Sequence, residues 1–311
     1  MKKSVQGSLY ILLATIIWGS SFVSQSIGMD HIGPFTFQAI RCGLAVIGLL
    51  PVIWIADRFT PGGSFVDRWK NKQLWKAGLL CGLPLFLAVN LQQVAIVDTD
   101  AGKSAFLTAM YIIFVPIIGF FCKKKISKLI PVSIVLAVAG LYCLSCVGVT
   151  SISKGDFLLL GCAFMFAVQI MFADKYAGSL DALRLNLIQS LVCTVLSFIV
   201  MCFTEKPTWS GISACWLPLA HVGFLSMGAA YSLQIIGQKY LESSIASLIM
   251  SMESVFAVLF GWLILHERLS KWEIIGCVLV FIAVILSQIP DKPRNKQPAQ
   301  KPKPLPSQQR D

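Results

Sequence analysis

Residues 247–271, SLIMSMESVFAVLFGWLILHERLSK, decide how the chain is read. The run is apolar almost throughout and long enough for a helix that crosses a bilayer, for which about 20 residues suffice. One carboxylate, Glu253, lies inside it, and it ends in the charged turn His266, Glu267, Arg268 before another apolar run begins. An ionised carboxylate in hydrocarbon costs several kcal/mol, so a residue placed like Glu253 faces a cavity or a partner rather than lipid.

The rest of the chain reads as copies of this element. Hydrophobic residues make up 56% of the 311 and charged residues 13%, with a mean hydropathy of +0.74. That balance excludes an ordinary soluble domain and fits an integral membrane protein. The same length criterion, about 20 apolar residues per crossing, predicts ten helices near 8–27, 34–55, 74–96, 102–122, 129–147, 155–173, 185–203, 214–237, 245–265 and 272–289. Residues 8–27 are longer than the apolar core of a signal peptide, and no small-residue cleavage site follows, so an uncleaved first helix is expected. Pro84 and Pro218 are expected to bend the third and eighth helices near a cavity, and Pro116 to hinge the fourth.

The net charge of +11 invites a nucleic-acid reading, but its placement argues for topology instead. With the N-terminus inside, the inner segments hold 20 of the 26 Lys and Arg residues. This asymmetry predicts that both termini are cytoplasmic. Residues 290–311 are rich in Pro, Lys and Arg without an apolar run, which predicts a disordered basic tail. The ten cysteines share no metal-ligand spacing with His, and the single CxxC, CLSC at 143–146, stands alone at the end of an apolar run, so neither disulfides, a metal nor another cofactor is expected.

The two halves resemble each other. NLQQ at 90–93 parallels YSLQ at 231–234, KISK at 125–128 parallels RLSK at 268–271, and QAIR at 38–41 parallels NLIQ at 186–189. Tyr111 falls where Glu253 falls in the second copy. Each half then contains five helices, and an odd number makes the copies enter the membrane from opposite faces. The predicted fold is therefore an all-α membrane protein of ten helices in two inverted five-helix repeats. The predicted boundaries are 1–148 and 149–289, followed by the tail 290–311. Such architecture places a small-molecule site near the midplane between the halves and supports alternating access.

Several short elements carry a family resemblance. IWGSSF at 17–22, Arg41 with its small apolar neighbours on the second helix, and residues 253–270 with Gly261, Trp262 and ERLS at 267–270 are similar to the EamA-type family of the drug/metabolite transporter superfamily. The likeness covers residues 7–289. His266 stands where the family has Gly before the acid, and Ser254 where Pro follows the Glu. The resemblance implies export of metabolites or drugs across the cytoplasmic (inner) membrane, driven by protons or by exchange.

Polar residues at i, i+3 or i+4 share one side of a helix, so they can line a common interior. Ser21, Ser24 and Gln25 do so on the first helix. Gln38 and Arg41, Asn90 and Gln93, Asn186 and Gln189, and Tyr231 and Gln234 do so elsewhere. Uncharged amides donate and accept, which suits reversible binding of polar or zwitterionic solutes; equally, they can join helices to one another. Trp18, Tyr111 and Tyr231 could stack on a ligand or simply pack. The expected substrate contacts are Trp18, Ser21, Gln38, Arg41, Asn90, Gln93, Tyr111, Gln189, Tyr231 and Gln234. Arg41 offers a planar fork for an anion, with Glu253 as proton carrier; the alternative is that the two pair with each other. His221 reads as a packed histidine or a proton shuttle, and Gly19, Gly119 and Gly261 as sites of close helix packing.

The leading functional expectation is a secondary transporter that exports small metabolites, amino acids or related compounds. Uptake or exchange of another polar solute is the alternative within transport, and a non-transporting sensor or assembly protein is the alternative outside it. HExxH, GxSxG and phosphate-binding GxxxxGK signatures do not occur, so neither an enzyme nor a nucleotide-driven pump is expected. The expected partners are a small-molecule substrate and the lipid bilayer, without nucleic acid; monomer and homodimer both remain open.

Overall fold

The computed structural model describes residues 3–59, 65–99, 101–124, 127–145, 153–265 and 270–289. The basic tail 290–311, the turn 266–269, half of the KISK turn and the proposed boundary between the halves lie outside the described residues.

The described chain is helical. α1 (Lys3–Met29), α2 (Pro34–Phe59), the short α3 (Phe65–Trp69) and α4 (Lys72–Ile96) lead to a fourth crossing broken into α5 (Ala101–Thr108) and α6 (Tyr111–Phe121). After them come α7 (Ile130–Ser145), α8 (Lys154–Ala177), α9 (Ala182–Thr204) and the short α10 (Trp209–Ala214). The eighth crossing is α11 (Trp216–Ala220), a π-helical segment (His221–Ala230) and α12 (Tyr231–Gln238). The ninth is α13 (Ser243–Met250) and α14 (Met252–Leu265), and α15 (Lys271–Ser287) completes the ten. Eight crossings are long and apolar enough to span a membrane by length and composition. The fifth and tenth, of 16 and 17 residues, are shorter.

Surface chemistry agrees with a bilayer. Phe203, Phe120 and Val135 face outward at 86%, 71% and 69% exposure, while Gln38, Gln93, Asn186 and Gln189 are fully buried. Apolar groups outside and amides inside invert the pattern of a soluble protein. Exposed Trp209, Trp216 and Trp272 lie near one end of the bundle and Trp54 and Trp75 near the other, as in interfacial belts.

Packing repeats between the halves. α4 lies on α8 as α1 lies on the eighth crossing, and α8 lies on α5 and α6 as α1 lies on α13 and α14. α2 on α9 and α7 on α15 pair across the axis between the copies. At the α1–α12 crossing two backbones touch: a Cβ on Gly7 would lie 2.9 Å from the Gly237 carbonyl oxygen, and one on Gly237 would lie 2.9 Å from that of Gly7. Only glycine permits that approach.

Both ends of α2 are fastened to α9. At its start, the Phe35 and Thr36 amides donate to the Glu205 carboxylate at 2.9 and 2.8 Å, and the Thr36 hydroxyl donates at 2.6 Å. These bonds occupy amide groups that a helix start leaves free. At its end, Asp57 pairs with Arg68 at 2.7 Å and with the buried Arg184. Two Lys–Asp pairs likewise join the fourth crossing to α8: Lys103 with Asp156 at 2.7 Å, and Lys124 with Asp174.

The expectation of a single fourth helix and a single ninth helix is corrected at the breaks. Around residues 109–113 the backbone bonds shorten, Ile112 to Ala109 at 3.1 Å and Ile113 to Met110 at 3.0 Å. Ser254 to Ser251 at 3.2 Å does the same in the ninth crossing, where the Ser251 hydroxyl donates to the Leu248 carbonyl at 2.7 Å. One tightened turn at each place redirects the helix. Tyr111 and Glu253 are the first and second residues beyond the two breaks. Apolar runs look continuous across such turns in sequence, so periodicity alone does not reveal them.

Candidate functional site

A narrow cavity lies among α1, α2, α4, α8, the two broken crossings and the eighth crossing. Trp18, Ser21, Phe22 and Gln25 face it from α1, and Arg41 from α2. Gln92 and Thr108 line it on one side, Phe166, Gln169 and Ile170 on another. Ser226, Tyr231 and Gln234 come from the eighth crossing, and Tyr111, Met250 and Glu253 from the breaks. Arg41 is the one Lys or Arg and Glu253 the one carboxylate in that lining.

These two charges do not meet as an ion pair. The Arg41 Nη1 donates to Gln25 Oε1 at 2.7 Å, and the Tyr111 hydroxyl donates to Glu253 Oε1 at 3.0 Å. The pairing alternative is thereby set aside. Arg41 is 2% exposed and Glu253 6%, and charges so buried require compensation. Three buried polar atoms of the lining have no protein partner: Arg41 Nε, Trp18 Nε1 and Gln234 Oε1. Two are donors and one is an acceptor, so the wall is incomplete in both senses.

Aromatic rings shape the space between these groups. Trp18 meets Tyr231 edge-on at 5.0 Å between centroids, and Tyr111 meets Phe166 at 6.5 Å. Such contacts fix ring orientation. They leave a slot with apolar walls and polar ends, the usual design of a small-molecule pocket.

Of the residues anticipated as substrate contacts, Trp18, Ser21, Arg41, Tyr111, Tyr231 and Gln234 line this cavity with Glu253. Gln38, Asn90, Gln93 and Gln189 do not. Gln38 Nε2 donates to the Val89 carbonyl at 2.7 Å and to Gln93 Oε1 at 3.2 Å, and Gln93 donates to the Gln25 carbonyl at 3.3 Å. Asn90 donates to the Phe86 carbonyl at 2.8 Å and to Ser197 at 2.9 Å. Gln189 bonds to Gln169 and Asn186. All four amides join helices, although Gln38 Oε1 and Asn90 Oδ1 are left without a partner.

Ser24 also leaves the expected face: its hydroxyl lies 2.9 Å from His221 Nδ1, while Ser20 lies 3.2 Å from Nε2. His221 is therefore a tie between α1 and the π-helical segment. Gly19 approaches the α14 backbone closely, whereas a Cβ on Gly119 would meet nothing nearer than Lys124 at 4.0 Å. Close packing is thus corrected for Gly119. Gln92, Thr108, Phe166, Gln169 and Ser226 line the cavity without having been anticipated. Helical spacing marks a face but not which of several polar faces turns inward, and no signal in the sequence separates these five from the amides that join helices.

Among the described residues no group of three His, Cys, Asp or Glu could hold a metal, and the nine described cysteines are free thiols.

Comparison with known proteins places the fold in context. A model described as the EamA-like transporter family matches twice, at residues 5–146 and 153–288. The chain is 31% identical over 287 residues to an uncharacterized transporter of Archaeoglobus fulgidus, covering 91% of this chain and 86% of the relative. It is 25% identical to the uncharacterized transporter YoaV of Bacillus subtilis, covering 91% and 97%. It is 22% identical to a chloroplastic WAT1-related protein of Arabidopsis thaliana, covering 88% and 67%. A solved crystal structure at 14% identity superposes with a TM-score of 0.76 over 91% of this chain and 96% of the other, which speaks to the fold alone.

Proposed function

The chain belongs to the EamA-like transporter family, a family of membrane transporters and not of enzymes, and from that premise we propose that it exports small zwitterionic metabolites, amino acids or related compounds. Export runs across the cytoplasmic membrane by alternating access, coupled to protons or to exchange. The halves 1–148 and 149–289 act as the two inverted units, with both termini in the cytoplasm and 290–311 as a basic tail on that side.

The observation that supports this reading is the cavity's separated charges. Arg41 and Glu253 face one space without neutralising each other, each held by a neutral partner. A solute bearing one anionic and one cationic group satisfies both, whereas a singly charged solute leaves one charge uncompensated. Arg41 takes the anionic group through its unpartnered Nε, aided by Trp18 Nε1. Glu253 takes the ammonium group, or a proton once the solute has left. A carboxylate that serves both in turn couples their movements, because the two cannot occupy it together.

A growth screen tests the reading. Cells overproducing the protein, or its Glu253→Gln variant, are challenged with toxic amino-acid analogues, dipeptides, purines and cationic drugs. Resistance to the amino-acid analogues, lost in the variant, is expected. Sensitisation reverses the direction to uptake. Resistance confined to purines or drugs overturns the substrate class, and no difference anywhere, with protein present in the membrane, favours a sensor.

A further inference from the structure

Gln234 is 1% exposed, lines the cavity, and leaves its Oε1 without a partner. An amide oxygen and nitrogen are easily interchanged in a structure, so the meaning of that orphan depends on which way the amide points. Its neighbours decide the matter.

Asn186 on α9 directs its Nδ2 at the Met227 and Gly228 carbonyls of the π-helical segment, at 2.9 and 2.8 Å. Backbone carbonyls only accept, so the nitrogen must lie there and Oδ1 must face away. Gln189 Nε2 donates to that oxygen at 2.8 Å, Gln169 Nε2 donates to Gln189 Oε1 at 3.2 Å, and Gln234 Nε2 donates to Gln169 Oε1 at 3.1 Å. The order is also fixed from the opposite side. Gln238 Nε2 donates to the Ile170 carbonyl at 3.0 Å, which turns its Oε1 toward Gln234 Nε2 at 3.3 Å. Reversing Gln234 would set its oxygen against two other oxygens. The amide row is thus polarised by backbone carbonyls at both ends, and the group left without a partner on Gln234, a residue of the cavity lining, is an acceptor.

Its place along the cavity is equally defined. Gln234 lies four residues from the end of α12, about 6 Å along the axis, near the end of the bundle that carries Lys3. Arg41 lies seven residues from the start of α2, about 10 Å from the opposite end. Arg41 and Gln234 therefore line the cavity from opposite sides of the bundle's middle.

We propose that Gln234 Oε1 is a specificity determinant that selects solutes that present it a hydrogen-bond donor, such as an amide, hydroxyl or amino group, over isosteres that present carbon. Asn186 is a positioning residue for this selection, acting through Gln189 and Gln169. The inference rests on the zwitterion reading for the identity of the solute, but not for the presence of the acceptor. A donor at Gln234 removes an unsatisfied buried group, and an apolar end leaves it desolvated, which corresponds to discrimination of about fivefold or more.

Thermal-shift titration of the purified full chain in lipid nanodiscs tests this with isosteric pairs: L-threonine against L-valine, L-glutamine against L-methionine, and adenine against 6-methylpurine. The donor-bearing member of each pair that binds is expected to bind about fivefold tighter or more. Gln234→Met should bring the ratio to near one or invert it. Asn186→Asp, which lacks the donors that orient the row, should lower the ratio, and Asn186→Gln should retain more of it. A merely structural role for Asn186 would lower affinity for both members alike. Equal binding within every pair that binds overturns the inference and leaves the amino-acid reading intact. Binding of the purines alone, with adenine preferred, overturns the amino-acid reading and upholds the inference. Binding of neither series overturns both.

Discussion

The Tyr111 hydroxyl donates to Glu253 Oε1 at 3.0 Å, and each residue stands just past the break of its own crossing. The two positions correspond in the two halves, so one hydrogen bond joins the copies where both helices change direction. A half-helix that begins inside a membrane presents free amide groups and the positive end of its dipole to the cavity. A carboxylate one residue into α14 is well placed against that end. Gain or loss of a proton at Glu253 alters the bond to Tyr111, and with it the relation of the two broken helices.

Glu253→Gln should fold, because an amide oxygen can still accept from Tyr111, and its transport should no longer vary with pH. Tyr111→Phe should keep the pH dependence while lowering stability by about 1.5–3 kcal/mol, the range for a hydrogen bond to a charged group. Uptake into proteoliposomes at several pH values, beside thermal unfolding, reads both. Full pH dependence in Glu253→Gln removes Glu253 from proton coupling.

Arg41→Gln should lose transport at least about tenfold, a change of 1.4 kcal/mol in binding, while its melting temperature stays at or above that of the parent. Among the described residues no carboxylate forms an ion pair with Arg41, so its removal strands no buried charge. Had Arg41 been half of a buried pair, the same substitution would cost about 3–5 kcal/mol. Near-normal transport by the variant would remove Arg41 as an anion anchor; a large loss of stability would restore the structural role.

Much of this arrangement was legible in the sequence, and what was missed has a physical cause. Ten crossings follow from apolar length, which a bilayer enforces directly. The repeat of five followed from short polar words such as QAIR and NLIQ, and the correspondence of Tyr111 with Glu253 followed from the repeat, but the hydrogen bond between them did not. What spacing could not decide is which amide satisfies a solute and which satisfies a helix. Asn186 and Gln234 look alike in sequence, but one faces two backbone carbonyls and the other a cavity. That difference arises from tertiary packing, above all from the π-helical segment, which leaves carbonyls at Met227 and Gly228 for Asn186 to bond. The tight turns at residues 109–110 and 251 are hidden for a related reason, because serine and small apolar residues fit helix and turn alike.

Gly19→Ala and Gly119→Ala should separate two glycines that the sequence treats alike. At Gly19 a Cβ would lie 2.5 Å from the Phe256 Cβ and 2.9 Å from backbone atoms of Glu253 and Ala257. Backbone does not yield cheaply, so α1 must move off α14, at about 1–3 kcal/mol. At Gly119 the nearest atom is 4.0 Å away, and alanine should stabilise the helix by up to about 1 kcal/mol. Thermal unfolding of the two variants in one detergent checks the contrast. Equal shifts would mean that the α1–α14 contact is looser than its geometry.

Asp57 should prove the most costly carboxylate to remove outside the cavity. It receives Arg68 at 2.7 Å and Arg184 at its other oxygen, and the Arg184 side chain is 1% exposed beneath the rings of Trp69 and Phe65. Taking away the acid leaves a buried guanidinium short of charge, for which about 3–5 kcal/mol is the usual loss. Asp181 also pairs with Arg184, at 3.1 Å, but its side chain is 42% exposed. Asp181→Asn keeps the cap on the Arg184 amide and gives up only a solvent-screened charge, so about 0–1 kcal/mol is expected. Both variants should transport normally at temperatures where they remain folded, because neither residue lines the cavity. Chemical unfolding of Asp57→Ala beside Asp181→Asn decides between this and a network of equal members. Comparable losses would show that Arg184 draws its compensation from both acids, and that burial of one partner does not set the cost.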